Sequence, residues 1–162
     1  TQLKWPNDIF LDGKKCGGIL TESSTMPEKN DERFAVIGIG MNLGSSLKDF
    51  PEELQDKVTS LLIETGTCPD ASQVFLAIRD ELLQLLDHFC NFGFHPILEA
   101  WKCRDFLLGK DMECVGFDGK IIAGVSLGPD VEGQLHIRDV DGHIHTVLTG
   151  DIRLAGRVIK NG

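Results

Sequence analysis

Two glycines interrupt an otherwise apolar run at residues 34–40, Phe-Ala-Val-Ile-Gly-Ile-Gly, which closes on Met41-Asn42. Its β-branched content and its apolar character on both faces read as a buried strand. Glycine weakens a strand interior and marks places where a ligand or another backbone comes close. Two further pieces precede it: Lys-Trp-Pro-Asn-Asp at 4–8 and Lys-Cys-Gly-Gly-Ile-Leu at 15–20. Each lies in or beside a run that reads as a strand, so the special residues run along neighbouring strand backbones. A lysine beside glycines, next to a glycine-bearing strand, describes a sheet on which a flat ligand can lie.

The surrounding pattern predicts the elements that hold such a sheet. Residues 8–23 form a hairpin around Asp12-Gly13, a strong short-range turn signal, and residues 24–33 are a polar loop. A helix is predicted over 51–65, with Pro51 near its first turn and Gly66 past its end. A longer helix starts at the N-cap candidate Asp70, carries Val74, Phe75, Ile78, Leu82, Leu85, Leu86 and Phe89 at helical spacing, and stops at Gly93. A short helix from Pro96 to about 105 packs Ile97, Leu98 and Trp101. From Gly109 the texture changes to short strands, with turns at Asp118-Gly119, Gly128-Pro129-Asp130, Glu132-Gly133 and Asp141-Gly142, as in a small SH3-type barrel. The expected fold is α+β: a mixed sheet with packed helices over residues 1–108, then an SH3-like β-barrel over 109–162. No sequence repeat or low-complexity segment stands out.

Composition narrows the function classes. The 162 residues carry a net charge of -9, which argues against nonspecific nucleic-acid binding, since that needs a basic face. No apolar run approaches the roughly 18 residues of a membrane span, and residues 1–8 lack a signal-peptide pattern. The five cysteines (16, 68, 90, 103, 114) are odd in number and form no Cys-x-x-Cys pair. Reduced thiols in a cytoplasmic protein follow. Only Thr1-Gln2-Leu3 precede the first motif, so the chain reads as a fragment.

Each candidate has a plain structural alternative. Lysines at strand edges are commonly solvated and blunt edge pairing. Lys15 stands apart because Gly17-Gly18 follow it. Gly38-x-Gly40-x-Asn42 does not continue into a dinucleotide-binding turn, because the third glycine, Gly44, comes one position late. Asn42 is either a turn former or an amide offered to the edge of an adenine. Trp5-Pro6 suits a core aromatic followed by a strand terminator, and Asn7-Asp8 suit a turn. His143 and His145 could share one strand face, the minimum for a metal pair, but with no third ligand they read as solvent-facing, so no metal site is expected. His88, His95 and His136 are isolated. No nucleophile elbow or Walker loop is present.

Together the three pieces resemble the second half of the catalytic domain of the biotin protein ligases, whose patterns are Lys-Trp-Pro-Asn-Asp, Lys-x-x-Gly-Ile-Leu and Gly-x-Gly-x-Asn. The resemblance continues architecturally into a C-terminal SH3-like domain, where Gly150-Asp151-Ile152 matches its last turn and strand. It implies two steps: biotin and Mg-ATP (hence Mg2+) give biotinyl-5′-adenylate, and a lysine of a biotin carboxyl carrier protein then takes the biotin and releases AMP. Lys15 would bridge biotin's carboxylate and the α-phosphate, and Gly18, Gly38 and Gly40 would form the close-approach surface. Asn42 would contact adenine, and Asp8, supported by Asn7, would orient the acceptor lysine. Either Arg153 or Arg157 could reach the nucleotide. The family's glycine- and arginine-rich loop and the winged helix of its DNA-binding members do not occur here, so the chain alone is expected to be inactive, with nucleic acid a partner only where a winged helix is attached. The resemblance leaves room for a homodimer. The competing readings are a noncatalytic module that binds proteins through its SH3-like part and an RNA-binding SH3-like protein. The second conflicts with the acidic balance and with the lack of aromatic–basic interleaving.

Overall fold

A computed structural model describes residues 1–26, 32–116, 119–148 and 150–154. Two compact units divide the chain, at residues 1–81 and 82–162, with the division inside the long helix.

The first unit is built on a four-stranded sheet in sequential order: β1 (Gln2–Lys4), β2 (Asp8–Leu11), β3 (Lys14–Met26) and β4 (Glu32–Met41). All these pairs are antiparallel. A single parallel bridge outside these strands joins Lys15 to Val58. Asp12 and Gly13 both take positive φ, 46° and 75°, as the predicted two-residue hairpin turn requires. Trp5 is buried, and its bond to Pro6 is cis.

The expected helix over 51–65 is much shorter. Two 3₁₀ turns, Leu47–Asp49 and Glu52–Leu54, are followed by α1 (Leu61–Thr65). Extended pairing displaces the rest: the Lys15 amide donates to the Lys57 carbonyl at 2.9 Å, and the Thr59 amide to the Lys15 carbonyl at 2.8 Å. An amide committed to a strand cannot close a helical turn, so α1 starts only after Ser60, whose hydroxyl accepts from the Ile63 amide as an N-cap. Gly66 ends it in the left-handed conformation.

The expectation of a buried β4 also fails. Residues 33–40 are exposed, including Phe34, Val36, Ile37 and Ile39, and Leu20 on β3 is 62 % exposed. Alternating positions place these side chains on both faces of the sheet, and among the described residues nothing covers either face there.

Helix α2 (Ala71–Phe92) matches its expected span; Asp70 caps it by accepting from the Gln73 amide, and Gly93 follows at φ 76°. Val74, Ile78 and Leu82, four residues apart, are half-buried, whereas Phe75, Leu85, Leu86 and Phe89 are exposed. Helix α3 (His95–Lys102) begins one residue earlier than expected and stops three short of 105, with Leu98 buried.

The second unit holds a five-stranded antiparallel sheet: β5 (Asp111–Val115), β6 (Ile121–Pro129), β7 (Leu135–Arg138), β8 (Ile144–Val147) and β9 (Asp151–Leu154), ordered β8-β7-β6-β5-β9. Alternate positions point inward, so Met112, Cys114, Leu135, Ile137, Val147 and Ile152 join Leu98 and Leu107 in the buried set. Gly119, Gly128, Gly133 and Gly142 carry the positive φ their turns need. Asp118 of the first turn lies outside the described residues. The sequence also contains a repeat that the linear reading missed: Asp-Val-Glu-Gly-Gln-Leu-His at 130–136 returns as Asp-Val-Asp-Gly-His-Ile-His at 139–145. It folds into two matching hairpin turns.

Candidate functional site

Directly opposed residues in an antiparallel sheet share a face. Register therefore lines up Lys4, Asp8, Gly18 and Gly40 in one row across the four strands, with Leu20 and Gly38 opposed one step along. Simple alternation would put Lys15 on the other face, three residues before Gly18. A bulge prevents this. Ile9 pairs with Gly17 but Phe10 pairs with Lys15, so Cys16 is left over and the side-chain alternation resets. Lys15 thus joins the row of Gly18, and its Nζ lies 2.5 Å from Asp8 Oδ1, with Lys4 Nζ 3.7 Å from Asp8 Oδ2. The Lys15 side chain is 46 % exposed, half anchored by the carboxylate and half open to a ligand.

The extra residue is buried. Cys16 is fully enclosed, its thiol directed at the Asn42 carbonyl, and burial raises its pKa. A neutral, enclosed thiol is structural rather than reactive.

The glycines divide by face. A Cβ on Gly17 would fall 2.5 Å from the Gly40 carbonyl oxygen, so this position is glycine because two backbones touch there. On the opposite side, a Cβ on Gly40 would meet nothing within 4 Å, and one on Gly38 only the Leu20 carbonyl at 3.7 Å. The site side of these glycines is open backbone. Together with Asn7, Asp8, Lys15, Gly18, Ile19, Leu20 and Ile39 they line an open cleft of about 460 Å³, within the size range of small-molecule sites.

Six of the seven sequence-derived site residues therefore meet in one cleft. Asn7 is held by its side-chain amide to the Ile19 carbonyl (2.8 Å), and the Ile19 amide returns to the Asn7 carbonyl (2.9 Å); this fixes Asp8 beside β3. Asn42 is the exception. It lies outside the cleft lining, and its Nδ2 donates to the Thr59 carbonyl at 3.0 Å. Its backbone N–H donates to Cys16, and its carbonyl accepts from Leu61, tying β4 to the start of α1. Under this joint, Thr59 and Ser60 are fully buried, their hydroxyls bonded to Glu64 and to the Ser45 carbonyl. Arg153 sits exposed on β9, and Arg157 lies outside the described residues.

Linear reading missed the apolar part of the cleft, although Gly18 and Leu20 stand two apart, the spacing of one strand face. The bulge that turns Lys15 inward leaves no evident mark in the sequence. The site offers a cation with one carboxylate partner, exposed strand backbone and an apolar flank. That combination suits an anionic group attached to a flat apolar body.

No protein-family model matches the chain. A curated relative, the bifunctional ligase/repressor BirA of Bacillus subtilis, is 36% identical over 154 residues, covering 95% of this chain and 46% of that protein. The biotin--[acetyl-CoA-carboxylase] ligase of Mycobacterium tuberculosis is 30% identical over 153 residues, 94% of this chain and 52% of its own. The chain thus spans about half the length of the curated relatives it matches. Among solved structures, a biotin protein ligase of Aquifex aeolicus in complex with biotin and ATP superposes with a TM-score of 0.79 at 28% identity, over 95% of this chain and 62% of that one. Its apo structure gives 0.80 at 27% identity, over 95% and 65%.

Proposed function

Because this chain belongs to the biotin protein ligase family, matching its members over nearly all of its own length, we propose that it supplies the lysine–glycine part of a biotin-activating site. The complete enzyme would form biotinyl-5′-adenylate and pass the biotin to a lysine of a carboxyl carrier protein. The observation that carries this reading is the bulge-directed Lys15, beside Gly18 and lining one cleft with the open backbone of Gly38 and Gly40.

In the first step, biotin's carboxylate oxygen attacks the α-phosphorus of ATP. The new C–O–P linkage forms as the bond to pyrophosphate breaks. Two anions must approach each other, and the Lys15 ammonium lowers that repulsion by sitting between carboxylate and α-phosphate. In the second step an acceptor amine attacks the acyl carbon and AMP leaves, with Lys15 now facing the departing phosphate. Neither step needs a protein nucleophile. Asp8 holds Lys15 and Lys4 before ligand arrives. Once a phosphate shares Lys15, the Asp8 carboxylate becomes available to orient the incoming amine. Asn42, with one amide hydrogen committed to Thr59, keeps its oxygen as the acceptor for adenine's amino group. Mg2+ enters with ATP as substrate. The cleft lining offers it only Asp8 as a carboxylate, already paired with two lysines, so no ligand to it is assigned from this chain.

The chain spans about half the length of its curated relatives, and a homodimer or a DNA-binding role would belong to the whole protein. The test uses a complete ligase carrying this segment. Gly40→Leu should weaken binding of a nonhydrolysable biotinyl-adenylate analogue at least tenfold in calorimetry while leaving the thermal midpoint unchanged. Beside it, the purified 162-residue chain should not form adenylate at the rate of the intact enzyme. Unaltered affinity in Gly40→Leu, or full-rate chemistry by the short chain, contradicts the reading.

A further inference from the structure

The two repeated hairpin turns of the second unit share one frame. In each, the first aspartate accepts from two backbone amides through Oδ1: Glu132 and Gln134 in one, Asp141 and His143 in the other, all at 2.9–3.0 Å. Oδ2 is left for the histidine six residues on, His136 at 3.0 Å and His145 at 2.7 Å. In both turns the glycine amide returns to the aspartate carbonyl. The frame therefore needs the aspartate, the glycine and one histidine.

The second turn carries more than its frame requires. Where the first has Glu132 and Gln134, bonded to each other at 2.9 Å, the second has Asp141 and His143. One ligand atom each from Asp139, Asp141 and His143 lies within 4.8 Å of the others. His143 Nδ1 is 3.6 Å from Asp139 Oδ2, the oxygen that also meets His145. One imidazole nitrogen and two carboxylates thus gather at one hairpin, with the His145 ring bonded to the same Asp139 oxygen.

We propose that the hairpin at residues 139–145 is a binding site for a divalent transition-metal ion of the zinc class, held by Asp139, Asp141 and His143, with His145 supporting the Asp139 carboxylate. Imidazole with carboxylate is a zinc, nickel or copper donor set; magnesium and calcium prefer oxygen alone. Bonds of about 2.1 Å in a tetrahedron place ligand atoms about 3.4 Å apart. The His143–Asp139 spacing, 3.6 Å, is already close to this. The backbone amides on Asp139 Oδ1 fix the carboxylate so that Oδ2 faces the ion, the kind of support that ordinarily orients a metal ligand. The ligands absent from the linear reading of this hairpin are supplied by the turn's own aspartates.

The first hairpin is the built-in control. Titrating zinc chloride into the 162-residue protein, with the exposed Cys68, Cys90 and Cys103 replaced by serine, should show one equivalent bound in calorimetry. His143→Gln copies the residue of the twin turn, so the fold should stand, and affinity should fall at least tenfold with the thermal midpoint of the metal-free protein unchanged. Asp141→Asn should weaken binding in the same direction, and His136→Gln should leave it as it was. Magnesium in large excess should not compete. No saturable zinc binding, undiminished binding in His143→Gln, or an equal loss in His136→Gln would overturn the assignment.

Discussion

The two sheets of this chain solve the same problem differently. Strands β5, β7 and β8 of the second unit alternate, so each buries one face: Met112, Cys114, Leu135, Ile137 and Val147 go inside, and their neighbours stay partly or fully exposed. Strand β4 of the first unit does not alternate. Its apolar residues point both ways and remain exposed, as does Leu20 across from Gly38. The second sheet is stabilised by its own side chains, each fully buried Leu or Ile contributing about 1.5–3 kcal/mol. The first keeps an unfilled surface, and its glycines keep that surface flat along the candidate cleft. Core and site are thus drawn from opposite strand designs.

The sharpest way to break this comparison is a truncation in each sheet of the 162-residue chain. Leu135→Ala should cost about 2–5 kcal/mol in urea unfolding, as for a fully enclosed leucine. Leu20→Ala, at a mostly exposed position, should stay within about 0.5 kcal/mol. Equal costs would mean that the two sheets are stabilised alike.

A smaller effect separates the two kinds of glycine. Gly17→Ala places a methyl against the Gly40 carbonyl and should destabilise by about 1–3 kcal/mol, as overpacking does. Gly40→Ala meets open space and should leave stability near that of the wild type. A reversed order would move the open face to the other side of the sheet.

The smallest effect lies in the second unit. Asp105 is half-buried, with its Oδ2 enclosed and unpartnered, and desolvation raises its pKa, against lowering by the Leu107 and Leu108 amides and Lys110. The folded chain therefore binds this proton more tightly than the unfolded one. Its contribution is present at low pH and is lost as pH rises from the ordinary carboxylate value through the raised one. Asp105→Asn should gain on the order of 1 kcal/mol at neutral pH, and the gain should vanish in acid. A difference between the two proteins that does not change with pH would contradict it.

How much of this was legible in the sequence depended on whether the signal was local. The Asp12-Gly13 turn, the Asp70 cap and the Gly93 stop are chemistry of neighbouring residues, and all three stand where the sequence put them. The helix over 51–65 was lost because Lys15, some forty positions away, takes the amide of Thr59 into extended pairing; no local pattern reports that. The grouping of Lys15 with Gly18, Gly38 and Gly40 was read from motifs, but the means was hidden. The bulge at Cys16 is a property of two strands in register, and only pairing reveals it. Asn42 shows the reverse limit, since its amide first serves the joint at Thr59.

The most direct test is the rate of biotinyl-adenylate formation in a single turnover by a complete ligase carrying this segment, with and without Lys15→Ala. Loss of the ammonium should slow the step about 10²–10³-fold, or about 3–4 kcal/mol of transition-state stabilisation, with the thermal midpoint nearly unchanged. An unchanged rate would show that the cation over the glycine face takes no part in the chemistry.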